Sequence, residues 1–234
     1  MNRRNALFGL SALAGAPWWP DLIASPAPVN QRPIPSSGEM LPMVGLGTWL
    51  TFDVSANNSM AMNERKKILS SLLKNGAKVV DSSPMYGRSE SIIGDASRSL
   101  GISSDLFMST KVWTTGRESG VRQIKSSAQK MNKRQLDLVE IHNLQDWKTH
   151  MATLLRMKDD GEIRYLGITH YLSHAYDRME HILKNYPIDF IQINYNISHQ
   201  GAADRLLPAA LNHGKGSDHQ STFCGRKCVQ KNQG

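Results

Sequence analysis

The sequence predicts an α/β fold: a parallel (β/α)8 barrel of the TIM type, incomplete, with about six of its eight β/α units present. Three observations carry this expectation. Six short apolar runs alternate with six segments of helical spacing along the 234 residues. The runs are nearly continuously apolar, as strands covered on both faces must be. Polar residues with reactive chemistry recur at the C-terminal ends of successive runs, the end at which a barrel gathers its functional groups. Strict alternation implies parallel strands joined by right-handed crossovers. With 40% hydrophobic residues the chain can build one sizeable core, so a single domain is expected, over residues 29–214.

Residues 1–28 read as a targeting segment outside that domain. Arg3-Arg4 precede a short apolar stretch from Ala6 to Ala16, and small residues with prolines continue to Pro28. About a dozen apolar residues are too few to cross a hydrocarbon core of about 30 Å, so no stable membrane anchor is expected. The pattern is that of a cleaved signal peptide of the twin-arginine type, which predicts the twin-arginine export machinery as a partner and a periplasmic location. A plain basic leader on a cytoplasmic protein is the alternative.

Next, residues 32–41 contain Pro33, Pro35 and Ser36-Ser37-Gly38, a turn-rich pattern suited to a small hairpin. Strands are expected at 43–49, 77–80, 106–112, 136–141, 164–168 and 189–193. Helices are expected at 64–74, 89–100, 121–131, 147–158, 175–185 and 203–212. Beyond Gly214 an apolar seventh strand is due, but Lys215-Gly216-Ser217-Asp218-His219-Gln220 is polar. Residues 215–234 are therefore expected to form an aberrant, disordered tail. Read one base later, codons for residues 216–224 can spell Gly-Leu-Ile-Ile-Asn-Arg-Pro-Phe-Ala, and a frameshift that truncated the barrel would explain the tail. The nucleotide sequence beyond codon 214 tests this. Cys224 and Cys228 suggest neither a disulfide framework nor a metal cluster.

The net charge of +8 and isoelectric point near 9.6 raise the question of an acidic partner. Half of that surplus sits at the two ends, in Arg3 and Arg4 against Asp21 and in Lys215, Arg226, Lys227 and Lys231 against Asp218. The interior has no basic stripe interleaved with aromatics, so nucleic-acid binding is not expected.

Two architectures share the alternation. An open dinucleotide-binding sheet would carry a glycine-rich turn that opens a helix after its first strand. Gly45-Leu46-Gly47-Thr48-Trp49 has no third glycine and opens no helix, which leaves the barrel. On the barrel, Asp81 follows the second strand, Tyr86 comes five residues later, Lys111 ends the third strand and His142 the fourth. Singly, Asp81 could cap a turn, Lys111 could be solvated, Tyr86 could be packing and His142 a satisfied core histidine. In register, they converge on one mouth.

In residue type, order and strand position, this set resembles the aldo-keto reductase family. The similarity runs from about residue 32 to 214 and includes Gly45-Leu46-Gly47-Thr48-Trp49 and Gly161-Glu162-Ile163-Arg164-Tyr165-Leu166-Gly167. It implies an NADPH-dependent oxidoreductase that reduces a small aldehyde or ketone to an alcohol without a metal. Hydride delivered to a carbonyl leaves charge on oxygen that must be protonated. A tyrosine of ordinary pKa, about 10, is a sluggish acid. A nearby ammonium favours its phenolate, and a carboxylate keeps that ammonium charged and aimed.

The resemblance therefore implies Tyr86 as proton donor, Lys111 as its tuning cation, Asp81 as the lysine's partner and His142 as the donor that orients the carbonyl. It further implies cofactor contacts from Gln192, Thr169, Gly47 and Thr48, with His170 standing where most members have Asn. Trp49, Trp113 and Trp147 follow strand ends and could wall a substrate pocket or merely pack. Without the closing strands, the chain is expected to bind cofactor weakly and turn over slowly. The alternatives are a non-catalytic nicotinamide-binding, redox-sensing module on the same fold, and a metal-dependent hydrolase using His142, His170 and Asp81. The second lacks the paired His-x-His at a strand end that such a site needs.

Overall fold

A computed structural model describes residues 29–220. Residues 1–28, where a targeting segment is expected, and both cysteines lie outside the described residues. Strands β1 (Gln31–Pro33) and β2 (Met40–Pro42) pair antiparallel, which is the expected hairpin, with Gly38 at φ 75° in its turn. From there strand and helix alternate: β3 (Gly45–Gly47), α1 (Ser59–Lys74), β4 (Val79–Asp81), α2 (Ser89–Leu100), β5 (Phe107–Val112), α3 (Arg117–Lys130) and β6 (Leu136–His142). The series continues with α4 (Trp147–Asp159), β7 (Ile163–His170), α5 (Tyr176–Asn185), β8 (Phe190–Asn194), α6 (Leu206–Asn212) and β9 (Gly216–Gln220). Strands β3 to β9 form one sheet whose spatial order equals their sequence order, every neighbouring pair parallel. This is the incomplete (β/α)8 barrel that the alternation predicts.

The helices start where local chemistry permits. Helix α1 begins five residues earlier than apolar spacing alone indicates, because the Asn58 side chain accepts from the Ala61 N–H and caps it. Strand β3 is shorter than expected, since Met43 and Val44 are each 55% exposed and gain nothing from joining the sheet. Helix α3 starts four residues early, at Arg117, and α6 gives up its first residues to a 3-10 turn at Gly201–Asp204.

The largest correction concerns the polar segment after Gly214. Residues Gly216–Gln220 form β9, paired parallel with β8 from Phe190↔Gly216 to Asn194↔Gln220, where a disordered tail was expected. An open strand edge presents a row of N–H and C=O groups that any backbone can satisfy, so pairing there does not require apolar side chains. Residues 221–234 lie outside the described region.

Two cores flank the sheet. The larger packs the helices against the outward face, through residues such as Val80, Met108, Val112, Val139, Ile141, Leu166, Ile168 and Ile191. The smaller lies on the inward face, where Phe107, Leu138, Tyr165 and Phe190 from four successive strands meet Ile34 of the hairpin. Glu39, in the hairpin, pairs with Arg164, accepts from the Tyr165 hydroxyl at 2.8 Å and faces Lys78 at 3.4 Å, pinning the hairpin over that end. Because side chains alternate along a strand, the inward positions beyond this apolar layer belong to Asp81, Ser109, Lys111, Glu140, His142, Gly167, Thr169 and Gln192. The bottom of the interior is therefore apolar and the mouth is polar.

One close approach fixes the helix layer. Gly94 on α2 touches the carbonyl of Lys130 at the end of α3, and a methyl group there would overlap it. Gly94→Ala is expected to cost about 1–3 kcal/mol by overpacking, seen as a lowered midpoint in thermal unfolding followed by circular dichroism.

Candidate active site

Lys111 is the centre of the polar mouth. It sits at an inward position near the end of β5, and its side chain is fully buried. A buried ammonium requires compensation, and three acceptors provide it. Nζ donates to Asp81 Oδ1 at 2.6 Å and to the Ser82 carbonyl at 2.9 Å, and Glu140 Oε2 lies 3.8 Å away. Burial alone would lower the lysine pKa. The fields of Asp81, Glu140 and Tyr86, with the Asp81 hydrogen bond, outweigh it and hold the group well above its ordinary value.

Tyr86 reaches the same point from the loop after β4. That loop turns through Tyr86 N–H donating to the Ser83 carbonyl at 2.9 Å. Gly87 follows at φ 58° with Asp53 against it, where a side chain would collide with that carboxylate. Arg88 N–H donates to Asp53 at 3.0 Å and locks the exit of the turn. The ring of Tyr86 then lies with its centroid 5.6 Å from Lys111 Nζ and meets the His142 ring edge-on at 6.2 Å. The four residues singled out from sequence, Asp81, Tyr86, Lys111 and His142, thus come together.

His142 closes β6 and is 8% exposed. Its Nδ1 is 3.2 Å from the Ser83 hydroxyl. Burial, then the charge of Lys111 and then His170 push its pKa down to about 3, so the ring is neutral at ordinary pH. The unfolded chain takes up a proton near pH 6.5 whereas the folded one does not. His142 therefore makes stability complete above about pH 6.5 and erodes it as pH falls towards 3, by about 1.4 kcal/mol per pH unit for one proton. Urea unfolding at stepped pH should show a flatter decline between pH 6.5 and 4 for His142→Gln than for the unaltered chain.

The backbone leaves this strand through a left-handed turn. Asn143, Leu144 and Asp146 have φ of 51°, 55° and 44°. Such angles are unfavourable for a residue like leucine, but Leu144 is buried in the core, which offsets the cost. Asp146 Oδ2 accepts from the Gly116 N–H at 2.8 Å, tying the loops after β5 and β6 together.

On the far side of the mouth, Thr169 and Gln192 are register partners on β7 and β8, both buried, and the threonine hydroxyl donates to Gln192 Oε1 at 3.2 Å. His170 is half-buried beside them; its Nδ1 accepts from the Leu172 N–H at 3.1 Å and its ring stacks on Tyr171 at 5.7 Å. Burial and His174 hold its pKa below the ordinary value. An amide, a hydroxyl and a neutral imidazole at adjoining strand ends form a donor and acceptor set that fits a nicotinamide carboxamide.

Other positions divide. Gly47 pairs with Asp81 across β3 and β4, with open space where its side chain would be. Thr48 is fully buried and donates to the Asp81 carbonyl at 2.9 Å and the Ser82 hydroxyl at 3.0 Å, so here it braces β4 from within. Trp49 and Trp113 stand 56% and 43% exposed after their strands. Trp147 instead begins α4 and packs edge-on to Tyr186 at 5.2 Å against the helix-layer core.

Two contributors escaped the sequence reading. Ser83 holds the imidazole, and Glu140 is a second carboxylate on the lysine. The signal for Glu140 was present as a charged residue at an alternate position of the otherwise apolar run Leu138-Val139-Glu140-Ile141. Among the described residues, no group of three or more His, Cys, Asp or Glu side chains is arranged to hold a metal ion, and no helix is long and apolar enough to cross a membrane.

Known proteins share the sequence pattern and the fold. The pattern of the aldo/keto reductase family matches residues 43–217. A methylglyoxal reductase of Yersinia pestis is 25% identical over 139 residues, 57% of this chain and 47% of the relative. A glyoxal reductase of Bacillus subtilis is 27% identical over 154 residues, 64% of this chain and 51% of the relative. The chain thus spans about half the length of these curated relatives. An aldo/keto reductase structure from Brucella melitensis superposes with a TM-score of 0.66 at 21% identity, covering 87% of this chain and 77% of the other. One from Klebsiella pneumoniae, in complex with NADP and acetate, gives 0.65 at 21% identity, covering 77% and 64%. At this identity the structural likeness is one of fold.

Proposed function

Because the chain belongs to the aldo/keto reductase family, we propose that it reduces a small aldehyde or ketone to the alcohol with NADPH. The observation that carries this reading is the buried ammonium of Lys111, bonded to Asp81 at 2.6 Å and set 5.6 Å from the ring of Tyr86. When bound, NADPH supplies the hydride, and the chain's own residues manage the proton. Tyr86 gives its hydroxyl proton to the carbonyl oxygen, and the Lys111 charge stabilises the phenolate left behind. Asp81 keeps that charge in place. Ser83 donating to Nδ1 leaves the proton of the neutral His142 ring on Nε2, from which it donates to the carbonyl oxygen.

Gln192, Thr169 and His170 would hold the nicotinamide carboxamide, with Gly47 giving the ring close access and Trp49 and Trp113 lining the substrate side. Among the described residues the sheet stays open between β3 and β9, and a mouth built from strand ends is weakened by an open edge. This reading therefore includes loose cofactor binding by a sheet left open at that edge. A fluorescence titration with NADPH that gave tight binding would remove that part of it. The paired Arg3-Arg4 support export by the twin-arginine route, which cell fractionation tests.

The direct test is carbonyl-dependent oxidation of NADPH, with NADH in parallel. Methylglyoxal and glyoxal are the first substrates to try, since two relatives are named for them. A chain that binds NADPH but leaves it unoxidised whichever carbonyl is supplied would instead be a non-catalytic redox-sensing module.

A further inference from the structure

Among the described residues, Glu140 is a charged side chain of the mouth that the proposed reaction leaves without a role. It is wholly buried at an inward position of β6, and its Cα is the register partner of Lys111 on β5 and of Gly167 on β7. Gly167 makes the room: a side chain there would meet Glu140 Cγ at 3.2 Å and the Phe190 carbonyl at 2.8 Å. The carboxylate faces Lys111 Nζ at 3.8 Å, across from Asp81 at 2.6 Å on β4. The ammonium is therefore held between two carboxylates where one would neutralise it.

We propose that Glu140 is a second counter-ion of Lys111 whose negative charge keeps Tyr86 in its protonated, proton-donating form. This rests on the reading of Tyr86 as the proton donor. One ammonium and one carboxylate sum to zero, leaving the full benefit of a nearby cation to the phenolate. Adding Glu140 makes the group net negative and opposes phenolate formation. Carbonyl reduction starts from the phenol and alcohol oxidation starts from the phenolate, so the extra charge biases the site towards reduction at neutral to mildly alkaline pH. The groups acting on Lys111 are Asp81 from β4, Tyr86 from the following loop and Glu140 from β6. His142, also on β6, is neutral across this range. Glu140 is a positioning residue in this scheme, since it acts through Lys111 and touches no reacting atom.

The test reads the phenol directly and needs no turnover. Ultraviolet absorbance of tyrosinate is titrated in the full chain and in its Tyr86→Phe variant, and the difference isolates Tyr86 from the other five tyrosines. Glu140→Gln is expected to move Tyr86 ionisation down by about one pH unit, a tenfold change in phenolate at fixed pH, as expected for one charge removed nearby at partial screening. Glu140→Asp, which retains the charge, should restore most of the original titration. An unmoved Tyr86 in Glu140→Gln, alongside an upward shift in Lys111→Met, overturns the role of Glu140 and leaves the lysine–tyrosine reading intact. If neither substitution moves it, both fail. Should Glu140→Gln not fold, the carboxyl carbon of Glu140 in the unaltered chain, assigned through its backbone by NMR, decides. The carboxylate form at neutral pH supports the proposal and the protonated acid overturns it.

Discussion

Tyr86→Phe is expected to lower the proposed carbonyl-dependent NADPH oxidation by about 10²- to 10⁴-fold at saturating cofactor, the range that a positioned general acid contributes. The substitution removes one oxygen and keeps the ring, so the edge-on contact with His142 at 6.2 Å is retained. Affinity for NADPH, read by fluorescence, should be unchanged. A loss in rate with unaltered binding is the mark of an interaction made in the transition state. Equal turnover in the two proteins would transfer the proton to another donor and end the assignment of Tyr86. If neither protein turns over yet both bind NADPH equally, the redox-sensing alternative gains.

The second large effect concerns stability. Lys111→Met leaves Asp81 and Glu140 in the interior without the cation they share, and removal of one side of a buried ion pair costs about 3–5 kcal/mol. Urea unfolding monitored by circular dichroism measures it. Since the folded pKa of Lys111 is raised, its stabilising contribution is fully present below the unfolded value of about 10.4 and is lost only as pH climbs through the higher folded value. The deficit of Lys111→Met against the unaltered chain should therefore be constant between pH 7 and 9. A deficit that vanished near pH 8 would mean that the lysine titrates there and is not held by its two carboxylates.

The parts of this molecule that can be read in its sequence are those fixed by period and by strand end. Continuous apolar runs gave the strands, and the spacing from Asp81 through Tyr86 and Lys111 to His142 gave four residues that the fold brings together. What stayed hidden depends on partners far along the chain. Ser83 looks like any turn serine until His142, on another strand, is beside it. Glu140 becomes meaningful only once the register sets it opposite Lys111. For Thr48 and Trp147 proximity to a strand end does not say whether a side chain turns to the mouth or into the packing beneath it, and in the fold Thr48 bonds to β4 while Trp147 packs on Tyr186. Strand β9 was missed for a different reason: polarity reports on side chains, and its pairing with β8 is a matter of backbone groups.

Each strand of the main sheet lies beside the one that precedes it in the chain. Such an arrangement can be laid down in order of synthesis, every new strand finding its template already in place and closing only its own helical crossover. The sole distant pairing in a ring of this kind is the seam that joins first strand to last. Among the described strands every pairing is between chain neighbours, so none has to wait for a distant segment to be made.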